Sequence, residues 1–304
     1  MIAMDLSHIA QPCRHMAPFG WYGGKGNLVR ALLPLLPTDE QVYVEPYAGA
    51  ASLLFHRRPG PNEVINDLHS EIVNLFRCLQ DPPAFEALQH RLTWTLYSRE
   101  EFVLALAVGP DADPVDRAWA FFVRQNQGFA GKATCEGNWG RQFCSARGMA
   151  GTTNQWRGRL KLLLWWHDRL SRVQVDHQDA LACIRYWDAP GTLFYLDPPY
   201  TAGSRAAGNT AVYTHEADDA HHAALVELLL TLQGRAALSG YDTPVYAPLA
   251  AAGWTCKKFQ TVCHAAGRTR GSGLQGSGAA LAAVPRTECL WLSPGCAPQQ
   301  ELKL

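Results

Sequence analysis

No run of about 18 uninterrupted apolar residues occurs in the 304-residue chain, so no segment reads as a transmembrane helix. The opening MIAMDLSHIAQPCRHMAP lacks the basic start and apolar stretch of a secretory signal, and residues 1–17 read as a poorly ordered lead-in. None of the nine cysteines are spaced C-x-x-C, and their number is odd. Without an export signal, that pattern favours free thiols in a reducing cytoplasm over a disulfide framework. Cys135, Cys144 and nearby histidines fit no zinc-ligand spacing, so no metal is expected. Net charge is missing too, since 27 Lys and Arg balance 27 Asp and Glu. As a bulk figure, that balance speaks against a nucleic-acid partner.

The distribution of charge speaks the other way. Between Arg117 and Arg172 there are ten Lys or Arg against two acids, Glu136 and Asp168. Between Lys257 and Arg286 there are five basic residues and no acid, so the remainder of the chain is acidic. Two basic stretches on an acidic body suit a surface that holds a polyanion, because phosphate contacts supply most of the affinity. Solvated helix faces are the plainer alternative.

Along the chain, short strands alternate with helices. Strand-like QVYVE (41–45) leads through PYAGA into SLLFHRR, and EVIND (63–67) precedes the amphipathic SEIVNLFRCLQ, which stops at Asp81-Pro82-Pro83. This alternation predicts a parallel sheet built from βαβ units. From about 84 to 172 the pattern turns helical and rich in Trp and Arg, with a Gly-rich polar segment at 128–158. Strands return at 173–177, 192–197, 236–241 and 288–293, with a helix at 217–234. The Gly, Ala and Ser-rich stretch 265–285 has too few large apolar residues to pack and reads as a mobile loop. The expected layout is a discontinuous α/β domain, 18–83 and 173–304, with a helical insert at 84–172.

Asp197-Pro198-Pro199-Tyr200 ends the apolar strand TLFYL, where an open α/β sheet binds its ligands. A carboxylate at Asp197 and the carbonyl of Pro198 can each accept one N–H of an exocyclic amino group. Together they would draw that nitrogen toward sp³ geometry and stabilise the positive charge it develops. The two prolines hold the carbonyl in place, and Tyr200 offers a face for a base taken out of its helix. A strand end closed by an acidic turn and a core tyrosine would look the same in isolation.

With Phe19-Gly-Trp-Tyr-Gly-Gly-Lys25 upstream and Glu45-Pro-Tyr-Ala-Gly49 between, the chain resembles the Dam-type DNA adenine methyltransferases from about Phe19 to Pro294. The resemblance implies a Rossmann-like sheet that uses S-adenosylmethionine, with the insert recognising DNA. It implies methylation of N6 of adenine in double-stranded DNA by base flipping. Cytosine N4, RNA adenine or a catalytically inactive DNA-binding protein stay open as alternatives. A cognate restriction endonuclease is a compatible partner; a membrane is not.

In this resemblance Glu45, Pro46 and Gly49 hold the methionine part of the cofactor, and Gly23, Gly24 and Lys25 close over it, with Trp21 lining the pocket or packing in the core. Gly49 permits a tight strand-to-helix turn, and the family's usual second glycine is Ala51 here. Asp67 would accept the ribose hydroxyls or cap the next helix, and Asp179 would touch the adenine or close a turn. Asp197 borders cofactor and base alike. In the insert, FFVRQNQGFAGK resembles the target-recognition segment. Arg124 and Asn126 are of types that read base edges, and either could equally contact phosphate. Lys132, Arg141, Arg205, Arg268 and Arg270 are expected against DNA, and Tyr241 beside the target base. His221 and His222 read as packing or capping residues, and Trp119, Trp139, Trp156, Trp165 and Trp166 mostly as core, with Trp139 the most exposed.

Overall fold

The structure, a computed structural model, describes residues 17–21, 24–128, 138–141, 145–146, 148–199, 219–263 and 284–296. The expected lead-in 1–17, apart from its last residue, the idea of a zinc site at Cys135 and Cys144, and nearly all of the loop 265–285 lie outside them.

Strands β1 (Val42–Glu45), β2 (Asn62–Asn66), β5 (Val173–Asp176), β6 (Thr192–Leu196), β7 (Arg235–Gly240), β8 (Thr255–Cys263) and β9 (Val284–Leu292) form one sheet. Its order is β5-β2-β1-β6-β7-β9-β8, and β3 (Ser145–Ala146) pairs separately with β4 (Met149–Ala150). β1 runs parallel to β2 and β6, and β6 parallel to β7, while β9 is antiparallel to both β7 and β8. All five residues of β6 are buried, as are the last three of β1 and the last five of β7. Such continuous apolar runs, rather than alternation, mark strands covered on both faces.

The helices are α1 (Val29–Leu32), α2 (Ser52–His56), α3 (Ser70–Gln80), α4 (Pro82–Trp94), α5 (Arg99–Ala107), α6 (Pro114–Gln127), α7 (Gly151–Leu160), α8 (Leu163–Leu170), α9 (Ala180–Trp187), α10 (Asp219–Leu229) and α11 (Ala247–Ala251). Two compact units emerge. A helical unit comprises Met1–Val29, Gly49–Pro59 and Ser70–Val173, and a sheet unit Arg30–Ala48, Gly60–His69 and Gln174–Leu304. In the sheet unit, Val44, Val64, Phe194, Leu196 and Leu238 pack with Ile184 of α9, Leu225 and Leu229 of α10 and Leu249 of α11. Each such side chain removed from water contributes roughly 1.5–3 kcal/mol.

In the helical unit α3 packs against α4, α6 and α8, burying Ile72, Leu75, Phe76 and Leu79. Asp81 and Asp113 cap α4 and α6, each followed by a proline at the first helical position, where a missing N–H costs nothing. Trp119, Trp156 and Trp166 are core residues, while Trp139 and Trp165 are half-buried.

Elements β8, α7 and α10 depart from the expected layout. Strand β8 was not anticipated, because TCKKFQTVC shows no clean alternation. It is an edge strand held by nine register pairs to β9, with exposed Lys257 and Lys258 discouraging further pairing. Helix α7 begins inside the Gly-rich segment. GTTNQWRGRL has poor intrinsic helicity, yet buried Trp156 and Arg159 anchor it, so packing overrides propensity. Helix α10 also ends at Leu229, short of the 234 expected.

Candidate active site at the carboxyl edge of the sheet

From β1 the chain builds the sheet outward to β2 and β5, then returns to β6 on the other side of β1. Strand order therefore reverses between β1 and β6, the switch point at which open α/β sheets bind ligands. The two strands are in register, Val42 with Thr192 and Val44 with Phe194. Glu45 thus ends its strand beside Tyr195, and Asp197-Pro198 leaves the neighbouring strand just beyond it. Asp67 leaves β2 beside them, Asp179 follows β5, and Tyr241 follows β7. Topology has gathered five separate sequence positions on one edge.

Side-chain hydrogen bonds hold these loops. The carboxylate of Glu45, 2% exposed, accepts from the Tyr43 hydroxyl at 2.9 Å. Asn66, also buried, donates to the carbonyls of Pro46 (2.9 Å) and Gln178 (3.0 Å) and accepts from Gln178 N–H (2.9 Å). One amide thereby ties the loop after β1 to the loop after β5. Asp67 is half-buried, and its Oδ1 accepts from His69 N–H at 2.8 Å. That bond turns the chain before α3 begins at Ser70. Asp179 caps α9 through Ala182 N–H at 3.1 Å. Asp197 is half-buried, Pro198 buried and Pro199 half-buried.

The tandem histidines of α10 reach this edge. His221 Nε2 lies 2.7 Å from the Tyr47 hydroxyl, and His222 Nε2 lies 2.9 Å from the Pro199 carbonyl. Burial, reinforced by the charge of Asp179, pushes the Tyr47 phenol far above its ordinary range, so it remains a neutral hydroxyl. Reading the pair as packing residues was right for His222, which is 1% exposed. What residue spacing could not reveal was the place of the packing. Asn66, Tyr47 and Tyr246 were missed as well. Asn66 adjoins Asp67 in VIND and Tyr47 sits inside EPYAG, so a signal existed for those two; Tyr246 carried none.

In the helical unit, Gly49 adopts φ +50° and lies under the Trp21 indole, so an added Cβ would sit 3.0 Å from its Cδ1. Ala51 takes φ 50°, ψ 43°. A left-handed conformation of the kind glycine favours is therefore adopted with a methyl group present. Trp21 is half-buried and meets Phe19 edge-on at 5.9 Å. Gly24 N–H donates to the Trp21 carbonyl at 3.0 Å, and Lys25, 4% exposed, opens a short 3₁₀ turn.

Arg124 pairs with Glu71 at 3.4 Å and donates to the Ala105 carbonyl at 3.0 Å. Asn126 donates to the carbonyls of Phe122 (2.9 Å) and Pro18 (3.2 Å) and accepts from Arg159. Either would have to leave these partners to meet a base. Arg117 also pairs with Glu71, and Arg169 donates to the Leu54 carbonyl. Several charges of the basic stretch therefore point inward, whereas Arg141, Arg157, Lys161 and Arg172 are exposed. Gly23, Lys132, Tyr200, Arg205, Arg268 and Arg270 lie outside the described residues.

Among the described residues, no helix is long and apolar enough to cross a membrane, and no group of three or more His, Cys, Asp or Glu could hold a metal ion. Cys78, Cys183, Cys256, Cys289 and Cys296 are free thiols. A mainly parallel sheet that reverses order between strands ending in Glu45-Pro46 and Asp197-Pro198, with acidic groups along that edge, defines a Rossmann-like α/β protein.

The chain belongs to the D12 class N6 adenine-specific DNA methyltransferases, which residues 21–247 match. A methyltransferase of this family needs a methyl donor of the S-adenosylmethionine type. The chain is 35% identical over 60 residues to the type II methyltransferase M.CviBI of Paramecium bursaria Chlorella virus NC1A, covering 19% of this chain and 23% of that protein. It is 36% identical over 70 residues to the type II methyltransferase M1.LlaDCHI of Lactococcus lactis subsp. cremoris, covering 23% and 24%. The chain thus spans about a quarter of each of these curated relatives.

Proposed function

We propose that this protein transfers a methyl group from S-adenosylmethionine to N6 of adenine in duplex DNA, at a defined sequence, with the target base flipped out of the helix. The observation that carries the reading is the exit of Asp197-Pro198-Pro199 from β6 at the switch point, next to Glu45-Pro46 of β1. Segments 18–83 and 173–304 would form the catalytic domain and 84–172 the target-recognition insert.

The edge suits the methyl donor. Carboxylates leave three neighbouring strands at Asp67, Glu45 and Asp197, as a ligand with hydroxyl and amino groups requires. Asp67 would hold the ribose hydroxyls and Asp179 the adenine. Glu45, Pro46 and Gly49 would hold the methionine end, together with Trp21, Gly23, Gly24 and Lys25. When bound, the cofactor supplies a methyl group already activated by its sulfonium. Asp197 accepts one N–H of the target amino group, and the Pro198 carbonyl accepts the other. Both raise electron density on a nitrogen whose lone pair is otherwise delocalised. Tyr200 stacks on the flipped base and Tyr241 borders it. Arg141, with Lys132, Arg205, Arg268 and Arg270, would contact phosphates, while Arg124 and Asn126 support the recognition element. A restriction endonuclease of the same specificity would be the biological partner.

The experiment uses the purified protein, duplex DNA and labelled S-adenosylmethionine, with digestion of the product to nucleosides. N6-methyladenine is expected, and Asp197→Ala should lower turnover a hundredfold or more, roughly the cost of losing a preorganised acceptor. N4-methylcytosine, or transfer to RNA alone, would replace the substrate assignment. Near-normal turnover in Asp197→Ala would sink the site.

A further inference from the structure

We propose that His222 is a positioning residue for the Asp197–Pro199 segment, holding ψ of Pro199, a backbone torsion that the two prolines leave free. The inference rests on the reading of this segment as the catalytic element.

The argument starts from the covalent chain. In Asp197-Pro198-Pro199-Tyr200, pyrrolidine rings lock φ at Pro198 and Pro199. Residues that precede a proline are confined to extended ψ, which constrains ψ at Asp197 and Pro198. Pro199 precedes Tyr200, so its ψ carries no such restriction. That torsion sets the direction of the Pro199 carbonyl, and with it the direction in which the chain continues into Tyr200. The Pro199 carbonyl is the group held by His222 Nε2, at 2.9 Å.

Chemistry assigns the proton. A carbonyl only accepts, so Nε2 carries the hydrogen, and in the neutral ring Nδ1 must be an acceptor. Nδ1 lies 2.9 Å from the Tyr246 hydroxyl, which donates to it. Tyr246 is itself immobilised. It is 3% exposed, it lies against Trp291 at 6.3 Å between ring centroids, and it presses so closely on Gly240 that a Cβ there would be 2.9 Å from Cε2. Gly240 is the last residue of β7. The sheet therefore fixes Tyr246, Tyr246 fixes the His222 ring, and His222 fixes ψ of Pro199. The preceding residue of α10, His221, holds Tyr47 in the loop after β1 at 2.7 Å. Two adjacent residues of one helix thus grip the loops on both sides of the switch point.

The test compares His222→Leu, His222→Gln and His222→Asn for kcat, KM for DNA and the dissociation constant of S-adenosylmethionine, with Asp197→Ala alongside. A glutamine amide reaches about as far as Nε2 and can donate to Pro199; an asparagine amide stops near Nδ1. His222→Leu and His222→Asn should lower kcat on the order of tenfold, with cofactor affinity unchanged, and His222→Gln should recover most of the loss. Tyr246→Phe should lower kcat less, and its cost should shrink when it is added to His222→Leu, since its hydroxyl orients the ring. Wild-type kcat in His222→Asn would overturn the inference. So would equal losses in all three variants, glutamine included, because a merely structural histidine would behave that way. If Asp197→Ala retains turnover, the site reading fails and the inference with it. If Asp197→Ala is dead while His222→Asn is normal, only the inference fails.

Discussion

Gly49→Ala should destabilise the protein by about 2–5 kcal/mol, for two separable reasons. The first is torsional. Gly49 sits at φ +50°, where an L-residue's Cβ crowds the backbone at a cost of roughly 1–2 kcal/mol. The second is steric. The new methyl would lie 3.0 Å from Trp21 Cδ1 and 3.4 Å from Nε1, so the indole would have to retreat by a few tenths of an ångström. Phe19 and Phe121, with ring centroids 5.9 Å and 6.3 Å from that of Trp21, leave it little room, and overpacking of this kind typically costs about 1–3 kcal/mol. Ala51, two residues on, supplies an internal reference. It occupies the same left-handed region and is fully buried, so strain alone is tolerable in this turn. The assay is the urea midpoint of wild type, Gly49→Ala, Trp21→Ala and the double variant. Trimming Trp21 should remove the steric part and leave the torsional part, a coupling of about 1–3 kcal/mol. A Gly49→Ala cost below about 0.5 kcal/mol, or a cycle with no coupling, would refute the close approach of Trp21 to Gly49.

Arg124→Ala should act through stability before specificity. Removing a guanidinium paired with Glu71 and bonded to the Ala105 carbonyl should cost about 1–3 kcal/mol, checked by denaturant titration; unchanged stability with relaxed preference at one base position would restore Arg124 as a base reader. Stability should also fall on the alkaline side. Burial, with the charges of Asp176 and Asp179, pushes the Cys183 thiol up to about 12. The unfolded thiol ionises near 8.5, roughly. Between those values the unfolded chain has lost a proton that the folded chain still binds, so stability declines by up to about 1.4 kcal/mol per pH unit. Cys183→Ala should flatten that decline between pH 9 and 11 in chemical-denaturation curves, and an unaltered slope would refute the assignment.

The strands of the sheet's centre could be read from the chain because each is a short apolar run bounded by polar or Gly-rich turns. β1, β2, β6 and β7 begin and end within a residue of QVYVE, EVIND, TLFYLD and AALSGY. Asp197-Pro198-Pro199-Tyr200 was legible for the same reason, as a polar motif abutting a buried strand. Charge was legible only in part. The basic stretch from Arg117 to Arg172 is real as composition, yet Arg117, Arg124, Arg159 and Arg169 spend their donors inside the helical unit. A count of residues carries no information about direction.

Residue types and their spacing along the chain thus determined the α/β class and the strand that carries the acidic motif. These are local properties, written in apolar periodicity and in the torsional habits of proline and glycine. Only tertiary structure decided that β6 lies against β1, which brings together loops more than a hundred residues apart. It alone decided that Asn66 ties Pro46 to Gln178, and that His222 reaches the Pro199 carbonyl. Such contacts are made by single polar side chains across the fold. A hydrogen bond between distant residues leaves no periodic trace in either segment, because its energy depends on where the backbone brings two atoms and not on what flanks them in the chain.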